Sequence, residues 1–234
     1  MSEIYLIRHS QASFGEADYD KLSSIGHRQS EVLARYLAAI GAQFDAIYCG
    51  RMKRHTDTAG PTIRALTSKP ETLSEFDEYN AGGLIAARLR HDASVDNSAV
   101  PEPVDFEVLR ADKRAFQVFF AETVRKWVSG AYDSLDDLES YPAFCERVEH
   151  GIRKIMNHNG SGRRVAVFTS GGPISVAVKS VLGLSGHKAM SLSWQVMNAS
   201  ITCLRYNGDE SVLWGFNNIS HLMLANDPSL LTYR

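Results

Sequence analysis

The sequence predicts an α/β protein: a three-layer α/β/α sandwich with a mostly parallel sheet and a helical lid insertion. Three observations lead there. Ile4-Tyr5-Leu6-Ile7 and Val165-Ala166-Val167-Phe168 are short, unbroken apolar runs bounded by turn chemistry, the mark of strands buried on both faces. Between the first run and another at 44–48 lies a helix-length stretch of helical spacing, giving a βαβ unit with a right-handed crossover. Arg8-His9, Arg51 to Arg54 and Ser170-Gly171-Gly172 follow apolar runs directly. Ligands collect beyond the carboxyl ends of such strands.

The elements follow in order. After the strand ending at Ile7, residues 12–22 are small and polar and read as a loop. A helix is expected from about Ser24 to Ile40, with Ser23 or Ser24 as N-cap and Val32, Leu33, Tyr36, Leu37 and Ile40 on one face. Gly41 closes it. Phe44 to Tyr48 is the second strand. Pro61 should kink or restart the helix that follows, because a residue before proline is pushed out of the helical region. Glu71 to Glu75 reads as a third short strand.

Residues 80–112 lose clear periodicity and carry Gly82-Gly83 and Pro101/Pro103, so about 80–140 is read as a lid inserted into one domain spanning 1–234. Helical spacing returns at 113–129 through Phe116, Phe119, Phe120, Val124 and Trp127, and again from Pro142 to His158. Arg164 to Thr169 is the clearest core strand, followed by a Gly-rich turn and an apolar helix to Leu182. Ser200–Tyr206 and Ser211–Phe216 flank Asn207-Gly208-Asp209, a hairpin turn sequence. That hairpin leaves an edge through which a second copy could pair.

Composition narrows the function. The formal charge of −2 argues against a nucleic-acid surface. No apolar run is long enough to span a bilayer, and Ser2-Glu3 before Ile4–Ile7 lacks the charge of a secretory leader. Cys49, Cys145 and Cys203 are odd in number and widely spaced, which suggests neither a disulfide framework nor a zinc site. A cytoplasmic protein is expected. The first strand is not followed by G-x-G-x-x-G, so a dinucleotide fold is set aside.

The chemistry gathers at the strand ends. Arg8 and His9 close the first strand. Arg51, Lys53 and Arg54 crowd a helix start that already carries partial positive charge, an arrangement that asks for an anion. Ser170-Gly171-Gly172 lies between a strand and a helix, where backbone N–H groups can approach a phosphate.

Taken together, these segments resemble the histidine phosphatase superfamily, also called phosphoglycerate mutase-like. Its opening strand ends Leu-Ile/Val-Arg-His-Gly, against Leu6-Ile7-Arg8-His9-Ser10 here. Its second segment, Tyr-Ser-Ser-Pro-Leu-x-Arg-Ala-x-Gln-Thr-Ala, falls on Tyr48 to Ala59 and places its arginine on Arg54. Its Leu-x-Glu lands on Leu73-Ser74-Glu75, and Val-x-Ser-His-Gly-Gly on Val167 to Gly172. Two positions depart. Ser10 stands for the first glycine, and Ser170 for the second histidine.

The resemblance implies a metal-independent phosphomonoesterase without cofactor, acting on a small phosphorylated substrate through a phosphohistidine on His9. Arg8 and Arg54 would hold the phosphoryl oxygens and Glu75, its pKa raised by burial, would protonate the leaving group. Ser10, Gln11, Ser170 and Gly171 would line the substrate. His55, His221 and the Gly171 N–H are the candidates to replace the second histidine. A phosphate-ester-binding or regulatory module with impaired turnover, and a mutase-type phosphotransferase, are the alternatives.

Overall fold

A computed structural model of the chain describes residues 1–13, 20–66, 69–95 and 113–233. The elements run β1 (Ser2–Arg8), α1 (Ser24–Ala39), β2 (Ala46–Cys49), α2 (Lys53–Leu66), β3 (Glu71–Thr72), α3 (Ala81–Val95), α4 (Lys113–Val128), α5 (Tyr141–Asn159), β4 (Arg164–Thr169), α6 (Gly171–Leu182), α7 (Gly186–Ser193), β5 (Ile201–Asn207), β6 (Glu210–Asn218) and α8 (Ser220–Leu224). Two compact units result, one of Met1–Glu78 with Arg147–Arg234, the other of Tyr79–Glu146.

The first unit holds a six-stranded sheet ordered β3-β2-β4-β1-β5-β6. β3, β2, β4 and β1 are mutually parallel, while β5 runs antiparallel to both β1 and β6. Strand alternation sends successive side chains to opposite faces. Ile4, Leu6, Val165 and Val167 pack with Ile152, Ile155, Ile174 and Ala177 of α5 and α6. Ile7, Ile47, Ala166 and Phe168 pack with Leu33, Leu37 and Ala59 of α1 and α2. Those two cores make the three layers.

Local chemistry sets most boundaries. The Ser23 hydroxyl accepts from Gly26 N–H and starts α1; Gly41, at φ 63°, turns the chain out of it. Three expectations need correction. Helix α2 continues through Pro61 rather than restarting there; Gly60, lacking a Cβ, removes one of the clashes proline makes with the residue before it. The third strand stops at Thr72, and Ser74–Phe76 is a 3-10 turn. Ala81–Val95, taken as irregular, is helical. Residues 14–19 of the expected loop and 96–112 of the insertion, with Pro101 and Pro103, lie outside the described residues.

The second unit is organised by aromatic rings. Trp127 lies 5.1 Å from both Tyr79 and Tyr141 and 5.6 Å from Phe144, ring centre to ring centre. Its indole N–H donates to the Glu139 carbonyl at 2.8 Å, so the largest side chain of this core is buried with its polar atom satisfied. The three cysteines are free and buried. No helix among the described residues is long and apolar enough to cross a membrane.

Candidate active site

Sheet register assembles the site. Arg8 pairs with Thr169 and Cys49 with Phe168, so His9, Gly50 and Ser170 leave the ends of three adjacent parallel strands together. His9 is tied down through its backbone. Its N–H donates to the Thr169 carbonyl at 2.8 Å, and its carbonyl accepts from Asn198 Nδ2 at 3.1 Å and Ala199 N–H at 3.3 Å.

The His9 ring is 5% exposed. Its Nδ1 lies 2.8 Å from the Ser10 carbonyl. A carbonyl can only accept, so Nδ1 carries the proton and Nε2 presents its lone pair. Burial holds the His9 pKa well below the ordinary histidine value, and the charges of Arg54 and Arg8 and the neighbouring His55 push the same way. The imidazole is therefore neutral at pH 7.

Both predicted arginines act on this ring. Arg54 is buried at the start of α2 and pairs with Asp20 at 2.6 Å. Its carbonyl accepts from the Thr58 hydroxyl at 2.7 Å, and that oxygen accepts from Ser10 N–H at 2.9 Å, which fixes α2 to the end of β1. Arg8 donates to the Val196 carbonyl. A Cβ on Gly171 would stand 3.9 Å from Arg8 Nε and 3.1 Å from the Ser193 carbonyl, so the glycine lets α6 begin close against both.

The cations at the start of α2 find carboxylates within the chain. Asp20 accepts from Lys53 N–H at 2.7 Å as well as holding Arg54, Arg51 pairs with Asp77 at 2.6 Å, and Lys53 pairs with Asp57 at 2.9 Å. The anion that this helix start asked for is supplied, at least in part, by Asp20.

Of the remaining predicted residues, Ser10 is fully buried with its hydroxyl unbonded. The Gln11 side chain accepts from the Ser23 hydroxyl at 2.8 Å, which ties it to the α1 cap. Ser170 is the N-cap residue of α6, and its Oγ lies 2.7 Å from His55 Nε2. The His55 ring centre is 5.8 Å from that of His9. His221 is packed instead on Tyr36 of α1, 5.5 Å ring to ring, and its pKa falls to about 4 through burial.

The acid segment departs from expectation. Burial alone would raise the Glu75 pKa, but its own backbone N–H and Lys154, 3.1 Å away, hold it below the usual carboxylate range. Glu78, three residues on, accepts from Gly172 N–H at 3.2 Å in the first turn of α6. The apolar-x-Glu spacing of Leu73-Ser74-Glu75 recurs at Phe76-Asp77-Glu78. Among the described residues no group of three or more His, Cys, Asp or Glu is placed to hold a metal ion.

A buried neutral imidazole stands at a central strand end, between two guanidinium groups and a glycine-rich helix start. The family model for the histidine phosphatase superfamily (branch 1) matches residues 4–96 and 106–219, and the chain belongs to that superfamily. No curated protein sequence matches.

Among solved structures, a phosphoserine phosphatase mutant from Entamoeba histolytica, in complex with phosphoserine, is 19% identical with a TM-score of 0.65, over 95% of this chain and 100% of that one. Mycobacterial glucosyl-3-phosphoglycerate phosphatase is 16% identical with a TM-score of 0.62, over 92% and 98%. Alpha-ribazole phosphatase from Shigella flexneri is 18% identical with a TM-score of 0.61, over 92% and 96%. At these identities the likeness is one of fold.

Proposed function

We propose that the protein is a phosphomonoesterase working through a phosphohistidine on His9. The observation that carries this reading is the His9 ring itself, with Nδ1 engaged by the Ser10 carbonyl and Nε2 left as the nucleophile. In the first step Nε2 forms a bond to phosphorus while the ester P–O bond breaks. The ring becomes cationic and the Ser10 carbonyl stabilises the Nδ1 proton. Arg8 and Arg54 offset charge on the equatorial oxygens, which is most of what phosphoryl transfer asks of a protein.

The departing oxygen needs a proton. We assign the donor role to Glu78, at the first turn of α6, since Glu75 is committed to Lys154. In the second step water attacks phosphorus, its proton passes to the Glu78 carboxylate, the N–P bond breaks and His9 returns to its neutral form. The family and the phosphatases that share the fold support a small phosphate monoester as substrate.

Brief incubation with an aryl phosphate labelled on phosphorus tests this reading. Acid-labile label on the wild type, absent from His9→Ala, is the expected result. Label that persists in His9→Ala would refute it. Ser170 in place of the family's second histidine favours a second reading, a binder that no longer turns over. That reading predicts phosphate-ester binding with hydrolysis equal in wild type and His9→Ala.

A further inference from the structure

We infer that His55 and Ser170 act as one hydrogen-bonded pair, His55 orienting the Ser170 hydroxyl toward the phosphoryl group on His9, so that two side chains perform the donor role of one histidine. The inference rests on the phosphohistidine reading above and deepens it.

Three observations carry it. Ser170 stands at the N-cap of α6, where a serine hydroxyl ordinarily accepts from a helix N–H. Here it makes no such bond and lies 2.7 Å from His55 Nε2 instead. A good capping group has been turned away from its helix toward a buried ring.

Second, the space for that ring is made by a residue identity. A Cβ on Gly50 would come within 2.3 Å of His55 Nδ1, so only glycine at the end of β2 admits the imidazole. The same pairing sets a limit at position 170, because Ser170 Oγ is already at hydrogen-bond distance from the ring. A histidine there would occupy the place His55 fills.

Third, the pair faces the nucleophile. His55 is fully buried, 5.8 Å from His9 ring to ring, and its pKa is held down by burial and by Arg54, with the Gly50 backbone opposing. With the neutral ring's proton on Nε2, the tautomer this pairing requires, His55 donates to Ser170 Oγ and leaves the hydroxyl hydrogen for an equatorial phosphate oxygen on His9. His55 is thus a positioning residue, and Ser170 is the donor that meets the substrate.

The test is a set of variants assayed for kcat and KM with p-nitrophenyl phosphate, each checked for native melting temperature. Loss of one preorganised donor costs about 100-fold in rate. His55→Ala and Ser170→Ala should each lose about that much in kcat, with KM changing far less. The double alanine variant should be no slower than the slower single one, since residues acting as a unit are not additive.

Ser170→His placed on His55→Ala should recover at least tenfold of the loss, and placed on the native chain should recover nothing. Losses that multiply, a single variant within about twofold of wild type, or a folded His55→Ala/Ser170→His variant no faster than His55→Ala would overturn the pairing.

If the alanine variant does not fold, His55→Gln and His55→Met carry the comparison. Gln, which has a donor for Ser170, should keep kcat and Met should not; equal rates sink the proposal. His9→Ala separates the two ideas. Turnover surviving in that variant removes the phosphohistidine reading and this inference with it. Turnover lost there but retained in the pair variants removes this inference alone.

Discussion

At His9 the position of one proton decides what the ring can do. The Ser10 carbonyl fixes it on Nδ1, and burial, together with the charges of Arg54 and Arg8, keeps a second one off Nε2. Both Arg54 and Arg8 lower the His9 pKa, so removing either charge must raise it. Arg54→Gln should therefore move the His9 titration, followed by proton NMR in the free protein, to higher pH; a midpoint that stays put would mean the guanidinium does not act on the ring. The two glutamates divide in the same manner. Glu78→Gln should cost about 100-fold or more in kcat on an alkyl phosphate, the usual scale of general acid catalysis, and less on p-nitrophenyl phosphate, whose leaving group needs no proton. Glu75→Gln should leave kcat alone and lose less than about 1 kcal/mol of stability, the worth of a partly exposed ion pair. Equal losses of kcat in both would reject the assignment to Glu78. Arg8 and His9 were legible because they close an apolar run, and Arg54 through the family's second segment on Tyr48 to Ala59. The partnership of His55 with Ser170 was not, since residues 115 apart in the chain meet only through strand register.

The elements show which signals survive folding. β1, β4, α1 and α6 were legible because each joins a clear apolar period to a cap or turn residue. Helix α3 was not, because it opens on Gly82-Gly83, poor helix formers, and among its described side chains the fully buried ones are Leu84 and Ala87. Pro61 misled through a rule that assumes a Cβ on the preceding residue, and Gly60 has none. The α1 cap also reaches the site. Ser23 accepts from Gly26 N–H, donates through its hydroxyl to Gln11 Oε1, and donates through its own N–H to the Gln11 carbonyl. Ser23→Ala removes the two hydroxyl bonds and should cost about 1 kcal/mol, the usual loss at an N-cap, read in a urea melt. It should also weaken phosphate-ester binding by loosening Gln11. A variant as stable as wild type would show that the cap is not holding α1.

For the molecule as a whole, three buried histidines contribute to the response to acid beside carboxylates such as Glu3, Glu75 and Asp92, whose pKa values are lowered. His9, His55 and His221 all lie in the sheet-containing unit, and burial lowers the pKa of each. A lowered histidine pKa means that the unfolded chain takes up the proton first. Stability is then fully present above the unfolded value and falls as pH drops toward the folded one. For His221 that window runs from 6.5 down to about 4. At about 1.4 kcal/mol per pH unit of separation, this one ring withdraws on the order of 3 kcal/mol of stability across the window. His221 is the informative position because it is packed on Tyr36 rather than placed beside the nucleophile. His221→Gln removes the titration while leaving the predicted chemistry of His9 untouched. Unfolding free energies from urea melts at pH 7 and pH 4 should then differ by less in His221→Gln than in wild type, by an amount approaching those few kcal/mol. An unchanged slope would mean that His221 titrates alike in the folded and unfolded chains.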